Sequence, residues 1–149
     1  MKNPFLLLEV KNKQGELHFR RYGIKTPWFG IFLHFIYKED QEKHMHDHPW
    51  NYISIMLMNS YCEETPKTAT KHYTLKNIFP GEIHSYKAEH IHRIKEICVG
   101  SCMPPYEYTP PVVTLFLTGR ERRIWGYDVD GTWVDHITYR KNKRDGLYN

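Results

Sequence analysis

A single all-β domain, built as a sandwich or barrel, is the fold class that the sequence predicts, and three observations predict it. Short apolar or alternating runs recur along the 149 residues with turn signals between them, the pattern of many short strands. Aromatic residues reach 15%, 11 of them Tyr, which suits pleated, half-buried surfaces. No internal repeat or low-complexity linker interrupts the chain, and its length is that of one domain. Hydrophobic residues at 40% and charged residues at 26% allow a sizeable core.

The candidate strands, in order, are 5–10, 17–22, 28–37, 50–58, 73–75, 91–99, 112–119, 123–128 and 132–140. The first follows the apolar run Phe5-Leu-Leu-Leu8. Asn59-Ser60 turns the chain between Ile53-Ser-Ile-Met-Leu57 and a further extended stretch, Tyr61-Cys-Glu-Glu64. Phe79-Pro-Gly-Glu82 marks another turn. Asp130-Gly131, between Trp125-Gly-Tyr127 and Thr132-Trp133, is a strong hairpin signal. The polar stretch 37–44 reads as a loop or a single helical turn. The domain core is expected over about 17–140, with 141–149 as a basic tail.

Composition narrows the function classes. The net charge of +4 is mild and partly concentrated in Arg140-Lys-Asn-Lys-Arg144; such a run is usually a solvated tail, so no nucleic-acid partner is expected. The three cysteines, Cys62, Cys98 and Cys102, form no even disulfide framework, which points to a reducing compartment. Phe5–Leu8 is far too short for a signal-peptide core or a membrane span. The expectation is a cytoplasmic protein without a membrane partner; a homodimer is compatible with the sequence.

The most informative stretch is His44-Met-His-Asp-His48-Pro-Trp50, with histidines at spacing two. On a strand, residues i and i+2 share a face, so His46 and His48 can aim their imidazoles at one ion. Glu89-His-Ile-His-Arg93 repeats the spacing more than forty residues on. Two strands each supplying such a pair would gather three or four ring nitrogens, and neutral imidazole is the commonest ligand of divalent transition metals. A lone His-x-His is weak evidence. Two pairs flanked by Pro49-Trp50 and by Ile91 and Ile94 are not, because those neighbours ask for burial.

These residues also carry a resemblance. His46-Asp-His48, Glu63-Glu-Thr65 after the turn at Ser60, and His92-Arg-Ile94 after Pro80-Gly81 resemble the two motifs of the cupin superfamily. The match is nearest to cysteine-dioxygenase-type cupins, which hold iron with three histidines. Thr26-Pro-Trp-Phe, Leu33-His34 and Thr114-Leu-Phe-Leu-Thr-Gly119 also resemble small uncharacterised cupins of bacteria and phages. The resemblance covers about Trp28 to Trp133. It implies a double-stranded β-helix (jelly-roll barrel) and one divalent ion on His46, His48 and His92. Fe(II) is the first expectation; Zn, Mn and Ni are the alternatives.

The sequence departs from that pattern in places. The common cupin glutamate, five residues after the second histidine, is replaced by Ile53. Glu63, Glu64 or Asp47 could join as a further ligand or support the ligands from behind; Asp47 should face the opposite side of its strand. Leu117 stands near where the dioxygenases have a tyrosine, which counts against cysteine as substrate. No secure counterpart exists for their carboxylate-binding arginine, with Arg20 or Arg21 as guesses and Arg20 the pocket candidate.

His44, His90 and Tyr61 are the other pocket candidates, although a solvated rim is the simpler place for the two histidines and for His84. His34, between Leu33 and Phe35, reads as a hydrogen-bonded histidine near the core. Trp50, Trp125 and Trp133 could wall a pocket, and Tyr52 and Tyr127 could add hydroxyls.

Three neutral imidazoles would leave Fe(II) its full charge and about three open positions, suiting an anionic chelating substrate and dioxygen. The functional expectation is therefore an Fe(II)-dependent (di)oxygenase of a small anionic or thiol molecule. The alternatives are a metal- or ligand-binding cupin acting as a sensor or interaction module, and a Zn- or Mn-dependent sugar isomerase or hydrolase.

Overall fold

A computed structural model describes residues 5–67, 73–98 and 111–148. Val99, at the end of the sixth candidate strand, and Cys102 lie outside the described residues. The elements are β1 (Leu6–Lys11), β2 (Leu17–Lys25), β3 (Gly30–Ile36), β4 (Met45–His46), β5 (Tyr52–Met58) and β6 (Ser60–Pro66). They continue with β7 (Tyr73–Ile78), β8 (Ile83–Tyr86), β9 (Arg93–Cys98), β10 (Val112–Thr118), β11 (Gly126–Val129), β12 (Thr132–Asp135) and α1 (His136–Arg144).

One six-stranded antiparallel sheet runs β1-β2-β3-β10-β5-β8. The second layer comes in two three-stranded pieces, β12-β11-β4 and β7-β6-β9. A single antiparallel bridge between His46 and His92 joins those pieces edge to edge. The result is a layer ordered β12-β11-β4-β9-β6-β7 packed against the first sheet, a jelly roll.

Strand alternation fixes what points inward. In β3, Phe32, His34 and Ile36 are buried while Ile31 is exposed and Leu33 and Phe35 are half-buried. The ladders extend this parity into rows: Phe19–Ile36–Val112, then Arg21–His34–Thr114–Met56, then Phe32–Phe116–Ser54. The first row joins Met56, Tyr61 and Ile78 in one apolar cluster, and the third joins Trp50 and Tyr52 in another. A polar row therefore lies between two apolar ones.

The turns form as the sequence predicts. Asn59 (φ 58°) turns β5 into β6, and Asp130 (φ 52°) with Gly131 (φ 87°) closes the β11–β12 hairpin as a two-residue turn with both φ positive. Residues 37–44 contain no helix.

Three predictions need correction. Strand does not continue through residue 140: Asp135 accepts hydrogen bonds from the backbone N–H groups of Ile137 and Thr138 and starts α1. The basic run is accordingly the end of a helix rather than a tail. Lys141, Lys143 and Arg144 sit where the helix dipole favours cations, and Lys143 reaches Glu42 at 2.7 Å. Finally, β8 was not among the candidates; four residues with Ile83 and Ser85 exposed give too little apolar signal. No helix among the described residues is long and apolar enough to cross a membrane.

Candidate metal centre

The backbone bridge between the half-sheets is the foundation of the site. His46 and His92 each donate their N–H to the other's carbonyl, both at 2.9 Å. Directly opposed residues project to the same face, so the two imidazoles become neighbours with ring centres 5.2 Å apart. His48 lies beyond the end of β4, its backbone N–H donating to the Ala88 carbonyl at 3.0 Å. That bond brings its ring to 5.2 Å from His46 and 5.1 Å from His92.

One ring nitrogen from each histidine lies within 4.8 Å of the other two. Nε2 of His48 and Nε2 of His92 are 2.9 Å apart. Two nitrogens on one metal at about 2.1 Å and a right angle would stand about 3.0 Å apart, so this pair has the spacing of adjacent ligands.

Electrostatics keeps two of the rings, His46 and His48, neutral. Burial lowers the His46 pKa to about 4, and burial with the neighbouring His92 and His46 lowers that of His48 well below its ordinary value. A neutral imidazole keeps a lone pair to give. Around them stand aromatic rings: Trp50 stacks on His48 at 5.1 Å, and Tyr52 meets His48 edge-on at 4.8 Å.

Glu63 settles which nitrogen of His92 is free. Its side chain is 2% exposed, and Oε1 accepts from His92 Nδ1 at 2.5 Å. With the proton on Nδ1, the lone pair of His92 is on Nε2, facing His48. Glu63 also receives the Tyr86 hydroxyl at 3.2 Å and His90 Nε2 at 3.4 Å. Burial opposes its charge, yet the hydrogen bonds from His90 and His92 prevail and hold its carboxyl below the usual carboxylate range.

A cavity of about 330 Å³ opens beside the histidines. His46, His48 and His92 line it together with Tyr61, Phe116 and the inward polar row of Arg21, His34 and Thr114. Three imidazoles, a buried carboxylate behind one of them and an adjoining pocket form a donor set able to hold a divalent transition metal with positions left open.

No family model matches the sequence, and no curated protein does. Solved structures are similar in fold. A cupin-2 domain protein from Rhodospirillum rubrum aligns with TM-score 0.56 at 10% identity, over 100% of this chain and 94% of its own. The chain has the cupin fold. A candidate mannose-6-phosphate isomerase from Ralstonia eutropha aligns with TM-score 0.55 at 14% identity, covering 71% of this chain and 88% of that one. Fe(II) HppE aligns with TM-score 0.54 at 7% identity over 74% of this chain, which spans 54% of that protein's length.

Within this fold the predicted site residues separate clearly. His46, His48 and His92 converge, and Tyr61 lines the cavity. Asp47 faces away, as its parity requires, and accepts from the Gly126 N–H at 2.7 Å, Trp133 Nε1 at 2.9 Å and Arg123 at 2.5 Å. Trp50 meets His48, while Trp125 stacks on His136 at 4.6 Å. Cys62 and Cys98 are free thiols.

Three candidates are displaced, His44, Glu64 and Arg20, while His90 stands beside the centre. His44 is neither in the pocket nor at a solvated rim: it is 7% exposed, bonded to the Tyr139 hydroxyl and packed against Tyr148. The parity argument fails there because β4 is only two residues long. His90 is not in the cavity lining, but its ring is 5.1 Å from that of His92 and stacks on Tyr86 at 4.0 Å. With Glu63 and His92 it forms a second group that could hold a metal ion. Glu64 pairs with Arg93, away from the histidines. Arg20 pairs with Glu9 at 2.7 Å on the outer side of β2; its neighbour Arg21 is the one that lines the cavity.

The sequence reading named Arg21 only as a guess beside Arg20 and placed His34 near the core, while both line the cavity. The signal was present: Phe32, His34 and Ile36 share one parity, and an antiparallel partner of that strand must turn Phe19 and Arg21 to the same side.

Proposed function

We propose that this cupin holds a single Fe(II) ion on His46, His48 and His92 and oxygenates a small anionic or thiol substrate in the adjoining cavity. The observation that carries the reading is the ligand set itself: three imidazoles, with the carboxylate of Glu63 bonded to the far nitrogen of His92. An Fe(II) ion held by such a set keeps its full charge and would supply open positions for a chelating anion and dioxygen. The Fe(II) form of HppE among the fold relatives is consistent with that choice.

The chain's own residues do the rest. Glu63 holds the proton on His92 Nδ1 and so fixes the ring's orientation. Trp50, Tyr52 and Phe116 wall the imidazoles with apolar surface and restrict water. The Tyr52 hydroxyl, 3.5 Å from His92 Nε2, can donate to a bound anion. Burial pushes its pKa up, so it stays protonated as a donor.

The test is reconstitution of untagged protein with Fe(II) under anaerobic conditions, followed by oxygen uptake across a panel of thiols and carboxylates. Uptake is expected with the parent and not with His48→Ala or His92→Ala, which should fail to retain metal. Iron-loaded protein that consumes no oxygen across the panel rejects the oxygenase reading. Stoichiometric metal in both variants rejects the ligand assignment.

A further inference from the structure

The outer face of the six-stranded sheet is apolar. Its ladders align the outward side chains in rows, one of them Ile24–Ile31–Leu117–Ile53 and the next Tyr22–Leu33–Leu115–Ile55–Ile83. Phe35–Val113–Met58 borders them. None of these side chains is charged, and Ile83 is 67% exposed, Ile24 57% and Ile31 46%. Among the described residues no element lies over this face: the second layer is on the other side of the sheet, and α1 packs on β11 and β12.

The strands themselves read as covered on both sides. Gly30-Ile-Phe-Leu-His-Phe-Ile36 in β3 and Val112-Val-Thr-Leu-Phe-Leu-Thr118 in β10 are largely apolar in both parities. An antiparallel strand with one wetted face alternates apolar with polar residues, whereas a run apolar throughout belongs to a strand buried on both faces. Here the inward parity carries the polar groups His34 and Thr114. The outward one, with Ile31, Leu33, Leu115 and Leu117, carries none.

The size of the face fits a protein interface. Five strands at a spacing of about 4.8 Å give a width of about 24 Å, and three residues of one parity span about 20 Å along a strand. One face is then about 500 Å² in projection, to which side-chain relief adds. Two such faces brought together reach about 1,000 Å², the size at which a specific interface begins. Monomeric proteins rarely leave a patch of this extent bare.

Charge and shape both favour a second copy of the chain as the occupant. With no charge in the rows, the face meets itself without like-charge contact. Arg20 and Lys25 at its border are already paired with Glu9 and Glu121, each at 2.7 Å, and so present no free positive charge to an anionic membrane. The middle row is also self-complementary in shape. Tyr22, Leu33, Phe35 and Tyr37 line a hollow at its β2 end, and Ile83, its most exposed residue, stands at its β8 end. β10 lies midway, two strands from β2 and two from β8. A twofold axis along β10 therefore lays each Ile83 over the other copy's hollow and makes the contact twice, as an isologous interface requires.

We propose that the outer face of β2, β3, β10, β5 and β8 is the interface of a homodimer, packed about a twofold axis along β10 with Ile83 of each copy seated beside Tyr22, Leu33 and Phe35 of the other. The inference goes beyond the proposed function and does not rest on it, because the cavity and its histidines lie against the inward row of the same sheet.

The experiment is sedimentation velocity of the full chain, with two variants studied alone and mixed. The parent should sediment as a dimer. Ile83→Glu drives a carboxylate into the hollow and Leu33→Lys places a cation there, so each alone should raise the dissociation constant at least about 100-fold. Both positions face outward, so far-UV circular dichroism should match the parent. Mixed in equal amounts, the two variants should form a heterodimer at least about ten-fold tighter than either variant's own dimer. One hollow then pairs the carboxylate with the ammonium, and the other keeps its native Ile83–Leu33 contact. Ile24→Lys, in the neighbouring row, should also weaken the dimer and leave the fold intact.

A parent that stays monomeric at about 0.1 mM, above the dissociation constants of standard interfaces, overturns the proposal. So does a monomer that floats with phosphatidylcholine vesicles, which gives the face to lipid instead. A dimer that survives undiminished in Ile83→Glu and in Ile24→Lys overturns it as well, because the contact then lies elsewhere. A mixture no tighter than the separate variants overturns the seating of Ile83 in the hollow. Should Leu33→Lys lose its circular dichroism, Ile83→Glu and Ile24→Lys decide between dimer and monomer on their own.

Discussion

At the scale of single residues, the site depends on groups that stand behind and beside the three histidines. Glu63 fixes the tautomer of His92 from a position 2% exposed to solvent. Glu63→Gln keeps the shape but removes the charge that favours Nδ1–H. Metal affinity should fall about 10–100-fold, measured by competition with a chelator. His34 gives a pH signature. Its folded pKa lies well below 6.5, whereas in the unfolded chain it titrates at about 6.5. The unfolded state therefore takes up the proton first, and the stability contributed by neutral His34 is present above about pH 6.5 and lost as pH falls below it. Denaturant midpoints compared between pH 7.5 and 5.5 should drop less in His34→Gln than in the parent.

At the scale of elements, Asp47 joins pieces that the short β4 cannot hold alone. Its carboxylate collects the Gly126 N–H, Trp133 and Arg123 from the β11–β12 region. Gly126 is required for that approach, since a Cβ there would lie 2.3 Å from the Val134 carbonyl oxygen and 2.8 Å from the Trp133 ring. Asp47→Ala should cost about 3 kcal/mol, because it strands a buried amide and an indole N–H while Arg123 remains partly hydrated. Thermal melting checks this, and far-UV circular dichroism should show the sheets still formed. An effect below about 0.5 kcal/mol, the level of an ordinary surface change, would contradict the role.

The element scale also shows what the sequence could reveal. The turns at Asn59 and Asp130-Gly131 were legible because positive φ restricts residue type. The helix was not, because Ile137, Thr138 and Tyr139 read as strand until the capping by Asp135 is seen. His46, His48 and His92 were legible from spacing and from the cupin resemblance. The separation of His44 from them was not, because the short β4 breaks the alternation on which the reasoning relied.

At the scale of the whole molecule, the core does not need the ion. The first sheet is continuous over six strands, and the two apolar clusters are packed from side chains alone, the one with Trp50, Tyr52 and Phe116 resting against His48. Chelation should therefore leave the far-UV circular dichroism unchanged. Excess metal should raise the melting temperature in proportion to the logarithm of its free concentration. Unfolding on chelation would show that the ion is structural.

The His46–His92 bridge has one more consequence. The second layer is stitched along that line by two backbone hydrogen bonds, and the same two residues present their rings to one point. A cation seated at that point acts as a clasp on the seam. Deuterium uptake at the His46 and His92 amides, slow when the clasp is shut and faster when it is open, would then serve as a built-in gauge of loading.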